Sequence, residues 1–232
     1  MKFILSCCSL IVILLSLSAS PAWTQGQHVG LTEQAVAGKY KPGHYTLADG
    51  TRHAGNIRVW MDREKNVLQV DKGKKQEPAN LFPTALHSFV IGRDSFAVVH
   101  HFRMLDETEK KPFESADFAR VLMSGKIQML EHKRFAGFDS NLGAGQYSRS
   151  PSFYTTNLLK PATDTMLVVV PYAEEKFARY MAPIFIDAAI LCQQIRAKQV
   201  GPTDLKRILY AYLFKREVTQ VTYEEANTIF RE

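Results

Sequence analysis

Closely spaced turn signals restrict this sequence more than any other feature. "HYTLADGTRHAGNIRVW" sets Asp49-Gly50 between two runs of strand-forming residues, a strong short-range hairpin signal. "VWMDREKNVLQV" repeats the device with a longer polar turn from Asp62 to Asn66. "SFVIGRDSFAVVHHF" turns at Gly92 to Asp94, and "FARVLMSGKIQMLEH" at Ser124-Gly125. Strands this short, joined this tightly, pair with their neighbours, so residues 40–170 are expected to form an antiparallel β meander shaped as a barrel or a sandwich.

A two-residue loop at Ser124-Gly125 puts Phe118, Leu122, Ile127 and Met129 on one face of that hairpin and Val121, Met123 and Leu130 on the other. Apolar groups on both faces predict a sheet covered on both sides here. "DTMLVVVP" is an apolar run ended by Pro171 and reads as a buried strand. The Gly- and Ser-rich stretch from Phe135 to Ser152 reads as a long loop, a candidate flap; it carries no phosphate-loop pattern.

After Pro171 the period changes from two to between three and four. Phe177, Tyr180, Met181, Ile184, Phe185, Ala188 and Leu191 predict an amphipathic helical segment, which Pro183 should kink or divide. Gly201-Pro202 breaks it, Thr203 is placed to cap the next helix, and Leu205, Ile208, Leu209 and Leu213 make that helix's apolar stripe. Thr222 and Glu225 form a capping box for a last short helix. The expected class is therefore α+β: an antiparallel meander at 40–170, then three or four helices at 171–232 packed on it.

The first residues carry Lys2, an apolar run from Phe3 to about Leu17, then Ser20 and Ala22, the layout of a secretory signal peptide at 1–22. The following segment, 23–39, reads as flexible. Cleavage after Ala22 removes Cys7 and Cys8 and leaves Cys192 alone, so the exported product is expected without an intramolecular disulfide and without a transmembrane span. The formal charge of +6 is spread along the chain, and its only tight run, Lys72, Lys74 and Lys75, sits in a turn. That argues against nucleic acid, which would want a basic stripe with interleaved aromatics, and leaves an acidic surface polymer as a partner class.

No complete catalytic or metal set is visible, so no catalytic, metal or cofactor residue is assigned. His100 and His101 are adjacent in a strand and point to opposite faces, with His87 upstream. His44 and His53 are the better pair: a two-residue turn at Asp49-Gly50 sets His53 opposite Thr46 and makes His44 its diagonal neighbour, with Gly55 as a bulge that resets the later register. Cys192 lies in an apolar helical stretch and reads as buried and inert. Glu174-Glu175 and Glu224-Glu225 fall in first helical turns, where they complement the helix dipole.

"GHYTLADGTRHAGNI", "HSFVIGRDSFAVVHHF", "FARVLMSGKIQMLEHKRF" and the helical "EEKFARYMAPIFIDAAILCQQIRAKQVGPTDLKRILYAYL" together resemble a group of uncharacterised exported proteins common in Bacteroidetes. Members often carry a Cys-Pro or similar step where this chain has Ala188, Ala189 and Ile190. The resemblance implies export and a β-then-α order, and supplies no activity. Two functions are expected from these readings. One is a non-enzymatic envelope protein that binds an envelope protein or an acidic surface polymer through its β region. The alternative is a metal-dependent or other hydrolase using His44, His53 or the His100 region.

Overall fold

The computed structural model describes residues 35–103, 113–143, 146–161 and 167–230, leaving aside the side chains at 103, 113–114 and 139–149. The signal-peptide expectation for 1–22, and residues 23–34 of the segment after it, lie outside that range. The strands are β1 (Val36–Ala37), β2 (Lys41–Leu47), β3 (Arg52–Met61), β4 (Asn66–Val70), β5 (Ala79–Leu81), β6 (Leu86–Ile91), β7 (Asp94–Arg103), β8 (Phe113–Met123), β9 (Ile127–Gly143), β10 (Gln146–Pro161) and β11 (Val168–Val169). The helices are α1 (Glu174–Met181), α2 (Ala189–Arg196), α3 (Leu205–Phe214) and α4 (Tyr223–Asn227). The α+β order and the helical end are as the sequence predicts, and the sheet does not close into a barrel.

The sheet is not one simple meander. Its order is β11-β10-β9-β8-β7-β6-β2-β3-β4-β5, with β1 pairing β3. Two meanders, β2 to β5 and β6 to β11, run away from each other and are joined by the β2–β6 pairing. The return is made by a 3₁₀ turn at Pro83–Ala85, which reaches β4, β6 and β8. β1 places Val36 and Ala37, within the segment read as flexible, opposite Met61 and Trp60.

Local chemistry explains the hairpins. Asp62 accepts from the amides of Glu64 (2.7 Å) and Lys65 (2.6 Å), closing the β3–β4 turn. Gly50 at φ +88° and the Leu47 amide bonded to the Thr51 carbonyl (2.9 Å) make the β2–β3 loop three residues long, not two. Every partner on β3 therefore shifts by one: Tyr45 faces His53 and Thr46 faces Arg52, with no register break at Gly55. Of Phe135 to Ser152, expected as a loop, residues 135–143 and 146–152 are instead strand: β9 and β10 pair from Gln146–Gly143 down to Pro161–Ile127 with one shift at Ser152/Phe153.

Three apolar clusters use both faces of the sheet. On one face, Tyr45, Ile57, Leu68, Leu86, Phe89 and Phe118 pack together, with Phe89 stacked on Phe96 (4.6 Å) and edge-on to Phe118 (4.9 Å). Farther along the same face, Met129, Ile127 and Leu159 receive Phe177, Met181, Phe185, Ile195, Ile208 and Leu209 of the helical layer. The opposite face of β7 to β10 carries Val99, Ala119, Val121, Leu130 and Leu158, against which Leu167 and Val169 lean. The "DTMLVVVP" run thus contributes only a two-residue, half-buried edge strand; its residues 164–166 lie outside the description. Pro183 divides the long helical segment as predicted, with a 3₁₀ turn at Ala182–Phe185 between α1 and α2. Thr222 and Glu225 form the expected capping box (3.1 and 3.0 Å), whereas Asp204 and not Thr203 satisfies the chain before α3, accepting from the Gly201 amide at 3.1 Å.

Two expectations follow. Gly43 and Gly55 face each other across β2–β3. A Cβ on Gly43 would overlap the Val90 carbonyl oxygen and sit 2.7 Å from Ile57 Cδ1, while one on Gly55 meets only Val70 Cγ1 at 3.8 Å. Gly43→Ala should lower unfolding stability by about 1–3 kcal/mol and Gly55→Ala should not lower it measurably, read from urea midpoints. The second concerns a latch on the helical layer: Asp187 accepts from Lys126 Nζ (2.6 Å) and from the Tyr212 hydroxyl (2.9 Å), with Lys126 over the Tyr212 ring. The Lys126 bond, first among the causes, holds the Asp187 carboxyl below the ordinary carboxylate range. A depressed carboxyl stabilises the fold above its unfolded value and loses that contribution as pH falls through the folded one. The acid limb of a melting-temperature profile should therefore flatten in Asp187→Asn, modestly, because the pair is exposed.

Candidate functional site

The histidines singled out by sequence do not come together. The one-residue shift in the β2–β3 loop puts His53 on the core face, stacked on Tyr45 (centroids 5.2 Å, 21° between planes), while His44 points out from the other face and is exposed. His87, His100 and His101 are exposed, the last two with ring centroids 6.2 Å apart. His101 takes φ 55°, which breaks the alternation expected there and turns Phe102 inward, onto the face of Val99. The depression beside His100, bounded by Gln128, Lys160 and Leu167, holds about 100 Å³, below the roughly 300 Å³ at which small-molecule sites begin. Cys192 is buried, as expected. Among the described residues no three His, Cys, Asp or Glu side chains are grouped to hold a metal.

The buried constellation with catalytic residue types among the described residues is one that the sequence does not announce. The β8–β9 pairing begins at Met123–Met129 and its last recorded pair is Ala119–His132. Beyond it the strands part, and the gap exposes backbone groups that a ladder would have satisfied. Asp117 fills the β8 side: its Oδ1 accepts from the Phe118 amide at 2.7 Å. Asn66, at the start of β4, fills the β9 side, its Nδ2 donating to the Lys133 carbonyl (3.0 Å) and to both Asp117 oxygens (2.9 and 3.1 Å). His132 Nε2 donates to Asp117 Oδ2 at 2.7 Å, and Arg134 Nη2 approaches the same oxygen at 3.5 Å. Phe102 stands edge-on to the imidazole at 4.8 Å.

Because a carboxylate only accepts, the imidazole proton lies on Nε2. Nδ1 then has no partner, nor has the hydroxyl of Thr156, the cross-strand neighbour of His132 on β10. Acid, imidazole and hydroxyl are thus present in the order of a nucleophilic triad. Their exposure decides against that use: Asp117 is 1% accessible, His132 and Thr156 0%. No substrate atom reaches a hydroxyl sealed in this way, so the arrangement acts on strands and not on a ligand. The signal that would have found it is parity. In "ADFARV", Asp117 shares a face with Ala119 and Val121, and in "MLEH", His132 shares one with Leu130; both are inward positions occupied by polar residues.

The solvent-facing apolar groups lie elsewhere. Of the seven large exposed hydrophobics among the described residues, six (Tyr172, Tyr180, Ile186, Ile190, Phe214 and Tyr223) belong to the helical layer or its entry and one, Tyr154, to the sheet. Tyr180, predicted for the buried stripe, is 50% exposed. No helix among the described residues is long and apolar enough to cross a membrane. The chain matches no protein-family model, no curated protein and no solved structure.

Asp117→Asn tests the role of the buried node. The new amide would set donors against the Asn66 and His132 donors in a site closed to water. It should cost about 3–5 kcal/mol, the range for breaking a buried pair from one side, seen as a lowered urea midpoint. A node that served only surface chemistry would leave the midpoint where it is.

Proposed function

We propose that this chain is an exported, non-enzymatic binding protein of the cell envelope, and that a partner protein docks on its helical layer. Export rests on the Lys2-to-Ala22 leader pattern. The absence of enzymatic chemistry is inferred from the sealing of the Asp117–His132 node and from the separation of His44, His53 and His100, which leaves the hydrolase alternative without a site among the described residues.

The observation that carries the reading is a stripe of apolar residues facing solvent around the Pro183 break. Phe177, Met181 and Phe185 point to the core. Tyr180, Pro183, Ile186 and Ile190, at steps of three, three and four, run along the other side, with Ile186 63% and Ile190 66% exposed. A β-branched apolar side chain gains nothing from water, and several in one row mark a surface that another protein covers. Tyrosine beside aliphatic residues is the composition that interfaces favour over free surface. The β region, where the sequence leads one to expect the contact, has no comparable row among its described residues.

Replacing both Ile186 and Ile190 by aspartate should leave stability within about 0.5 kcal/mol, as for other surface positions. The same change should abolish recovery of the protein partner that co-purifies with the tagged chain from its own envelope fraction. A parent chain recovered alone, or a double variant that keeps the partner, would sink the reading.

A further inference from the structure

The face of β3 to β5 opposite Ile57 and Leu68 carries a row of polar side chains crossing three strands, its central member Gln69 buried and its ends Arg58 and Asn80 half-buried. Register sets Arg58 beside Gln69 and Gln69 beside Asn80. Arg58 Nε donates to Gln69 Oε1 at 2.8 Å, and Gln69 Nε2 donates to Asn80 Oδ1 at 3.0 Å. On the other side of Arg58, its guanidinium lies over the Tyr40 ring, 4.3 Å from the centroid. The arginine is thereby held twice, by stacking and through Nε. Yet no carboxylate pairs with it, and its two terminal nitrogens have no partner among the described residues.

Arg120, Arg134, Arg207 and Arg216 all have acidic partners. Arg58 differs in being fixed in place with its fork unspent. A planar guanidinium so held matches a planar carboxylate through two parallel N–H···O bonds, with little side-chain entropy left to lose.

The field around the row has one sign. The segments that build it, 38–42, 56–60 and 67–81, carry Lys39, Arg58, Lys72, Lys74 and Lys75, with Lys41 paired to Ile57 on the other face, against only Asp71 and Glu77. Asp71 is already engaged by the Gly73 amide at 2.8 Å. The Lys72 to Lys75 turn is exposed and follows directly on β4, so the basic run that sequence placed in a turn stands at the end of the polar row. Asn56, exposed two residues before Arg58 on the same strand face, adds an amide that can donate to and accept from a hydroxyl-rich ligand. Stacking surface is missing: Trp60 is 5% exposed, and the guanidinium occupies a face of Tyr40. Nucleic-acid bases would find no platform here.

We propose that this face binds a carboxylate-bearing polysaccharide, one uronate carboxylate seated on the Arg58 fork and the chain drawn in by the lysine turn. The site is separate from the helical stripe and stands or falls independently of it.

Calorimetric titration of the purified chain with oligogalacturonate, with its neutral methyl ester and with single-stranded DNA of equal charge tests this. The acid oligosaccharide should bind, more weakly as salt rises, and the ester should not. Arg58→Lys, which keeps the charge but not the fork, should weaken binding about tenfold, measured well below the variant's own melting temperature. Tyr40→Leu, which frees the guanidinium, should weaken it in the same direction. The proposal is overturned if oligogalacturonate gives no binding, if Arg58→Lys binds as the parent does, or if the DNA binds as tightly as the uronate.

Discussion

The structure depends on how it resolves a parting of two strands. β8 and β9 run together up to Ala119–His132 and then separate, β8 staying with β7 and β9 with β10. An open antiparallel ladder leaves amide and carbonyl groups that water cannot reach in an interior, at a cost of about 1–3 kcal/mol each. Here Asp117 takes the orphaned Phe118 amide and Asn66 reaches the orphaned Lys133 carbonyl. Since Asn66 opens β4, the repair also ties the first meander to the second. Without it, the β2–β6 pairing and the shared apolar cluster would be the main joints between the halves.

That tie governs how the apolar residues are divided. With β4 drawn to the β8–β9 fork, one face of the β2 to β6 half closes over Ile57, Leu68 and Phe89, and the Phe118 ring completes it from β8. The same face farther on is left for the helices, which supply Phe177, Met181, Phe185 and Ile195. The opposite face follows a different rule on each half. On β7 to β10 it is apolar and covered; on β2 to β5 it is mixed, with His44, Arg52 and Asn56 exposed and Trp60, Val67 and Gln69 buried. The positive φ of His101 belongs to this division, because it moves Phe102 to the covered side, where it meets His132.

The sequence disclosed the elements well and their relations poorly, for physical reasons that differ by residue. Turns at Asp62 to Asn66 and at Gly92, the break at Pro183 and the Thr222–Glu225 box are local chemistry, decided within five residues, and each is where the sequence indicates. The β2–β3 register was misread because Asp49-Gly50 is compatible with loops of two or three residues, and the choice between them moves His53 to the other face. The β6-to-β2 return and the Asn66–Asp117 contact, fifty-one residues apart, have no local signature at all. Phe135 to Ser152 reads as a loop by composition, yet small and polar residues serve in a two-stranded ribbon when the partner strand is the next one along.

The same distinction separates the chemistry a sequence advertises from the chemistry a fold can use. Histidines drew attention by number, and the one most enclosed by polar partners, His132, is the one that no solute can approach. Arg58 is unremarkable in "GNIRVW" and becomes distinctive only because β4 and β5 bring Gln69 and Asn80 alongside it and Tyr40 lies beneath it. A buried carboxylate answers the needs of the backbone, and its charge is spent on its neighbours. A guanidinium anchored at Nε, paired with no carboxylate among the described residues, keeps its fork for something outside the chain. The polar face of the sheet and the apolar edge of the helical layer are therefore suited to ligands of different kind, the first built on a hydrogen-bonded row that also joins β3, β4 and β5.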